Sequence, residues 1–381
     1  MKRTIAVIAG LFLSACLPGY PDEARAPTAG QSINVEVLVE GLKSPWSVAV
    51  MPGGGYLITE KANGLKRIFL DGRVLTVKGV PEDVFTEGQA GYFDVKIAPG
   101  YTDTMNIYMS YAFGTATENG TGLFSAELQG PGPNGDGLTL TSGKTVFRAS
   151  PTKDTNAHFG GRLAFLPDDT LVLTLGDGFA YREQAQVKGS DLGKIVRLKR
   201  DGSAAKDNPF VGQSDAKPEI YSWGHRNAQG LHYDAESKNL WAHEHGPKGG
   251  DELNLLKSGA NYGWPIATTG IDYNGAKITP LTSAPNMESY VKDWVPSIAP
   301  SGLTIYRGDM FPDWNGDAFV GGLASRDLRR LDLEGNQFVK EESLLADLGG
   351  RVRDVRTAPD GALLVLIDNP DNGKLLRLTP N

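Results

Sequence analysis

His158 stands in His-Phe-Gly-Gly-Arg-Leu, and Asp177 follows it in Leu-Gly-Asp-Gly. A carboxylate bonded to one imidazole nitrogen fixes the tautomer and raises the basicity of the other nitrogen, as a general base requires. Taken singly, each residue has a plainer reading: His158 as a structural histidine, Asp177 as a turn aspartate bonding its own backbone. A second group is cationic. Arg226 lies in Gly-His-Arg-Asn-Ala-Gln-Gly, with Asn227 beside it, and Arg351-Val-Arg353 puts two guanidiniums on one side of a strand. Alone, that arginine pair reads as a surface ion-pair ladder. If it converges with Arg226, the cluster wants a small anion with several carboxylates. His243-Glu244-His245 shares a face at i and i+2, yet it is not His-Glu-x-x-His and has no third ligand close in sequence. The loop Gly246-Pro247-Lys-Gly-Gly-Asp251-Glu252 is bent and rich in oxygen. It reads either as a calcium loop of backbone carbonyls plus an acid or as a Gly-rich turn with solvated acids. There is no Gly-x-Ser-x-Gly elbow, no phosphate loop and no Gly-x-Gly-x-x-Gly, so serine hydrolysis and nicotinamide binding lack support.

The elements that must position these groups are short strands. Of 381 residues, 48 are Gly and 23 are Pro, a load that implies many turns. From residue 32 onward one pattern recurs: an apolar strand, a Pro/Asp/Gly turn, a return strand, then a basic-apolar run. Ser47–Met51 with Tyr56–Thr59 and Leu65–Ile68 is one copy. Leu163–Leu166 with Leu171–Leu175 and Ile195–Leu198 is another, and Val355–Ala358 with Leu363–Ile367 and Leu375–Leu378 a third. Looser copies begin near Tyr92, Gly230 and Leu303. Six units of roughly sixty residues, with no amphipathic helix of note, predict an all-β chain: a six-bladed β-propeller of four-stranded antiparallel blades. A pair of packed sheets is the structural alternative. Ile33–Glu40 is a lone alternating strand placed to complete the last blade and close the ring.

In an antiparallel hairpin, the residues before the first strand and after the second lie at the same end. By that rule Gln89, His158, Asp177, Arg226, Asn227, His245, Gly246, Pro247, Ser325, Arg326, Arg351 and Arg353 all fall at one mouth of the propeller channel.

Composition removes other classes. With 38 Lys and Arg against 45 Asp and Glu, the net charge of −7 argues against nucleic acid, and a single cysteine cannot form an internal disulfide. Lys2 and Arg3, the apolar run Ile5–Leu13 and Leu-Ser-Ala-Cys16 read as a lipoprotein signal over residues 1–15. Cys16 would carry the lipid, residues 16–31 would be a flexible tether, and residues 32–381 the propeller. The expected location is the periplasmic side of a bacterial envelope, held at the outer membrane only through that lipid.

Several blocks in order carry a family resemblance: Glu87–Gly91, His158–Leu163, Gly224–Gly230, Glu244–Glu252, Asn261–Pro265 and Arg351–Val355. Across nearly the whole mature chain it resembles the soluble PQQ-dependent sugar dehydrogenases, with the aldose sugar dehydrogenase branch nearer. The resemblance implies oxidation of an aldose sugar at C1 to the lactone, using pyrroloquinoline quinone (PQQ) and Ca2+. His158 would be the base, Asp177 its orienting partner, and Arg226 the stabiliser of charge on the quinone oxygens. Gln89, Arg226, Asn227, Arg351 and Arg353 would hold the cofactor. The Gly246 and Pro247 carbonyls would bind one calcium, and Glu252 with the Tyr262 carbonyl a second. An electron acceptor, a quinone or a cytochrome, would complete the cycle. One departure stands out: where the family has a cofactor-pairing lysine this chain has Ala324, and Arg326 is the residue placed to substitute. A calcium-dependent propeller lactonase and a non-catalytic binding propeller are the alternatives from other classes.

Overall fold

Six four-stranded sheets follow one another along the chain, and each is a blade. The structure is a computed structural model and describes residues 32–130 and 137–381. The expected signal, tether and lipid site at Cys16 lie outside the described residues. Blade I is built from Pro45–Val50, Tyr56–Glu60, Gly64–Ile68 and Val74–Val77. Blades II, III, IV and V begin with Tyr92–Ile97, Gly160–Phe165, Ala228–Asp234 and Pro300–Ile305. Blade VI takes Arg351–Thr357, Leu363–Asp368 and Gly373–Pro380 from the chain's end and Ile33–Leu42 from its start. That last strand pairs antiparallel with Gly373–Pro380, Val35 opposite Leu378, so the ring closes as its alternating pattern predicts. The closing strand joins the chain's two ends in one blade, and each blade keeps only short sheet edges of its own.

The first strand of each blade touches the first strands of its neighbours all round, including blade VI against blade I, so these six strands surround the channel. Between blades, apolar faces interlock. Leu163, Leu171, Leu173 and Val196 of blade III pack with Tyr108 and Leu123 of blade II, all buried. Each such side chain contributes about 1.5–3 kcal/mol on leaving water.

The channel itself is polar. Arg162, on the first strand of blade III, donates to Asp354 Oδ1 of blade VI (2.9 Å), to the Gln229 carbonyl of blade IV (2.8 Å) and to the Arg353 carbonyl (2.9 Å). Its guanidinium lies 4.1 Å from the centre of the Trp46 ring of blade I. Arg356 bridges Asp354 and Asp94 of blade II (3.1 and 3.2 Å). This belt ties the innermost strands to one another, and its bonds leave neither partner of the Arg162–Asp354 pair without a mate. Among the described residues no helix is long and apolar enough to cross a membrane.

Candidate active site

The His158 and Asp177 loops meet at one end of blade III. His158 precedes its first strand and Asp177 follows its second, Leu171–Leu175. Gly176 makes the approach possible: a β-carbon there would come within 2.1 Å of the His158 carbonyl oxygen. The result is a hydrogen bond of 2.7 Å from His158 Nδ1 to Asp177 Oδ1, with both side chains buried. Asp177 is fixed from two further directions, accepting from the Phe179 N–H (2.8 Å) and from Trp264 Nε1 (2.7 Å). With Nδ1 engaged, Nε2 is the basic nitrogen. Burial lowers the His158 pKa, the Arg226 and Lys153 charges add to that, and the Asp177 bond only partly opposes it. The imidazole is therefore neutral at pH 7, ready to accept a proton. Burial alone would raise Asp177, but its bond to His158 and the charges of His158 and Arg226 hold it below the ordinary carboxylate range.

Gln89 connects this pair to a cavity of about 320 Å³: its Oε1 accepts from the His158 backbone N–H at 2.9 Å, and Gln89 lines the cavity. Asn227, Arg351 and Arg353 line it as well. Asn227 Oδ1 accepts from the Gly160 N–H (3.1 Å). The hairpin rule thus brings four of the expected cofactor residues to one place. Arg226 sits beside them, donating to the His245 and Gly246 carbonyls (3.0 and 2.7 Å) and to the Tyr273 hydroxyl (3.3 Å). Arg326 is the exception. It is exposed and does not line the cavity; Leu323 of the same turn does, and its carbonyl accepts from Arg351 (3.3 Å). Within this turn Leu323 is buried and Ser325 half-buried, while Ala324 and Arg326 are exposed.

Lys61 is a further cation of this wall, one the sequence reading did not name. It lines the cavity and donates to the Gly88 carbonyl at 2.7 Å. Asp368 is the acid of this wall, with Arg353 at 2.9 Å and Arg351 at 3.5 Å. Both residues were legible, since Lys61 and Asp368 end return strands and the hairpin rule covers them. Two arginines therefore share one carboxylate, and the Lys61 charge lies within its reach. Burial and the charge of Arg353 lower Lys61, with Asp368 opposing; burial, Arg353 and Arg326 lower Arg351. Arg353 Nε is buried with no hydrogen-bond partner among the described residues. An orphaned guanidinium nitrogen in a wall of surplus positive charge fits an anion bearing carboxylates. Across the cavity Trp46, Phe93 and Phe159 stand in tilted contact, centroids 5.3 and 5.7 Å apart, an aromatic surface suited to a planar heterocycle. No sequence motif marked these rings as a unit, because their contacts join blades.

Gly246, Glu252 and Tyr262 of the expected calcium loops line a second, much smaller void with Glu244 and Thr268; Pro247 does not line it. Gly246 must be glycine, for a β-carbon would stand 2.3 Å from the Gly249 oxygen. Burial, then the neighbouring charge of Glu244, pushes the Glu252 carboxyl well above its ordinary range. The neighbouring Asn254 Oδ1 is buried without a partner among the described residues. A buried acid, a half-buried acid and an orphaned oxygen suit a hard cation. Among the described residues no three His, Cys, Asp or Glu side chains group into a metal site, so such a cation would rely on carbonyl oxygens. His243 and His245 are committed elsewhere, donating to the Gly302 and Pro300 carbonyls of blade V (2.8 and 2.7 Å).

Comparison with known proteins agrees with this geometry. The family model described as Glucose / Sorbosone dehydrogenase matches residues 42–377. The aldose sugar dehydrogenase YliI of Escherichia coli strain K12 is 40% identical over 359 residues, covering 92% of this chain and 94% of its own. The crystal structure of the apo-form of the soluble aldose sugar dehydrogenase from Escherichia coli superposes with a TM-score of 0.86 at 37% identity, covering 92% of this chain and all (100%) of that one. The PQQ-bound aldose sugar dehydrogenase of Streptomyces coelicolor superposes with a TM-score of 0.75 at 29% identity, covering 93% and 100%.

Proposed function

The chain belongs to the glucose/sorbosone dehydrogenase family, and from that premise we propose that it oxidises aldose sugars at C1 to the lactone with PQQ as cofactor. The observation that carries the reading is the juxtaposition of a neutral, aspartate-oriented histidine with an anion-hungry, aromatic-walled cavity. His158 Nε2 takes the proton of the C1 hydroxyl, and Asp177 stabilises the imidazolium that results. When bound, PQQ supplies the two-electron sink for the hydride that leaves the same carbon. Arg353, Arg351 and Lys61 would hold its carboxylates, Gln89 and Asn227 would bind its other polar groups, and Arg226 would offset developing negative charge beside the base. Calcium would be held by the Gly246 and Pro247 carbonyls and, at a second position, by Glu252 with the Tyr262 carbonyl. The Gly246 carbonyl already accepts from Arg226, so the ion and the guanidinium would share it. We further propose a periplasmic enzyme anchored through lipid on Cys16, passing electrons to a quinone or a cytochrome. Fractionation of a Cys16→Ala variant checks the anchor, which fails as an idea if membrane association persists.

The central test is reconstitution. Protein given PQQ and Ca2+ should reduce an artificial dye when an aldose is added. His158→Gln should lose on the order of 10²–10⁴-fold in kcat while still binding PQQ. Bound PQQ with no dye reduction by any aldose or simple alcohol would refute the proposal.

A further inference from the structure

Phe179 is an apolar ring in an awkward place. It lies two residues past Asp177, and 49% of it is exposed. Its ring meets the His158 imidazole edge to face, centroids 5.1 Å apart at 82°. Tyr273, 58% exposed, lies nearly parallel to it at 6.3 Å and 28°, and the Tyr273 hydroxyl faces Arg226. The Phe179 backbone is left-handed, with φ of 66°, a region that penalises any β-carbon by roughly 1–2 kcal/mol. Its N–H bond to Asp177 Oδ1 explains the backbone position, but glycine would make that bond without strain. The side chain is therefore not there for the turn. Nor is it there for the core, since half the ring remains in water.

What the ring does have is position: it borders the base, so a molecule presenting a hydroxyl to His158 comes close to it. Pyranose rings carry C–H groups on their faces and hydroxyls on their rims. An exposed aromatic face flanked by a phenol and a guanidinium matches both surfaces. We propose that Phe179, backed by Tyr273, is the platform for the substrate's sugar ring and sets a preference for pyranoses. This rests on the reading of His158 as the base that acts on a sugar hydroxyl.

The experiment uses protein loaded with PQQ and kept reduced, so that no turnover occurs, alongside protein without added PQQ. Saturation-transfer NMR with D-glucose and D-galactose reads contact with sugar C–H protons directly. Transfer in the wild type, lost in Phe179→Ala and kept in Phe179→Tyr, supports the platform. In steady state, Phe179→Ala should raise KM for aldopyranoses about tenfold with little change in kcat, and PQQ affinity should hold within about twofold. Absence of transfer in the wild type, or transfer and KM unchanged in Phe179→Ala, overturns the proposal. The two ideas fail separately. Phe179-dependent sugar contact without oxidation by PQQ-bound wild type would remove the dehydrogenase reading and keep the platform. Aldose oxidation indifferent to Phe179 would do the reverse.

Discussion

The channel belt and the cavity wall lie close together on the same blades, and both are rich in arginine, yet they treat charge in opposite ways. In the belt each buried charge has a mate. Asp94 is fully buried, which alone would raise its pKa, but Lys96, Arg356, Arg162 and the Ser47 hydroxyl bring it down to about 2. In the wall, Arg351 and Arg353 share Asp368 with Lys61 close by, and the Arg353 Nε has no hydrogen-bond partner among the described residues. A fully matched buried network holds strands together, whereas an unmatched one marks where a ligand belongs. Residue type alone separates neither region.

That contrast can be broken by substitution. Arg162→Met leaves the buried Asp354 Oδ1 without its donor, Arg356 holding only Oδ2, so urea unfolding should show a loss of about 3–5 kcal/mol. A loss under about 1 kcal/mol would mean that the belt does not hold the ring. Arg353→Met should behave oppositely. The cofactor-free protein should unfold at nearly the same urea concentration, while PQQ affinity, read by titration, falls on the order of 100-fold. Lys61→Gln should do the same about tenfold, with Lys61→Arg restoring most of it. Unaltered affinity in both would leave the wall as a surface feature.

The smallest effect sharpens the link between the wall and the base. His158 is pushed below 6.5, so kcat/KM should fall on acidification with a midpoint below that value, as the base becomes protonated. Lys153 is buried, donates to Asn119 Oδ1 (2.9 Å) and lies over the Phe159 ring. It remains charged through that range, since burial lowers it only to about 7. Lys153→Met removes a cation that disfavours the imidazolium, so the midpoint should rise by a few tenths of a pH unit, about 0.5 kcal/mol. A midpoint that falls or stays put would show that Lys153 does not act on the base.

Much of this is legible in the sequence. Alternating strands and Pro/Asp/Gly turns are local, so the blade count, the closing strand Ile33–Leu42 and the shared end of the hairpins follow from sequence. The same rule collected His158, Asp177, Gln89, Asn227, Arg351 and Arg353, and applied more strictly it would have collected Lys61 and Asp368. It failed for Arg326, because lying at the right end of a blade does not decide which residue of a turn faces inward. It was silent on Phe179 and Trp264, since aromatic residues in loops have no period to mark them.

Sequence by itself determined the repeat, the ring and the mouth where polar residues gather, because strand alternation and hairpin return are properties of neighbouring residues. Only the tertiary structure decided which charges are matched. Arg162 finds Asp354 across 192 residues, whereas Arg353 finds Asp368 across 15 and keeps a nitrogen unpaired. Coulombic and hydrogen-bond partners depend on distance in space and on exclusion of water. Both are set by how six blades close on one axis.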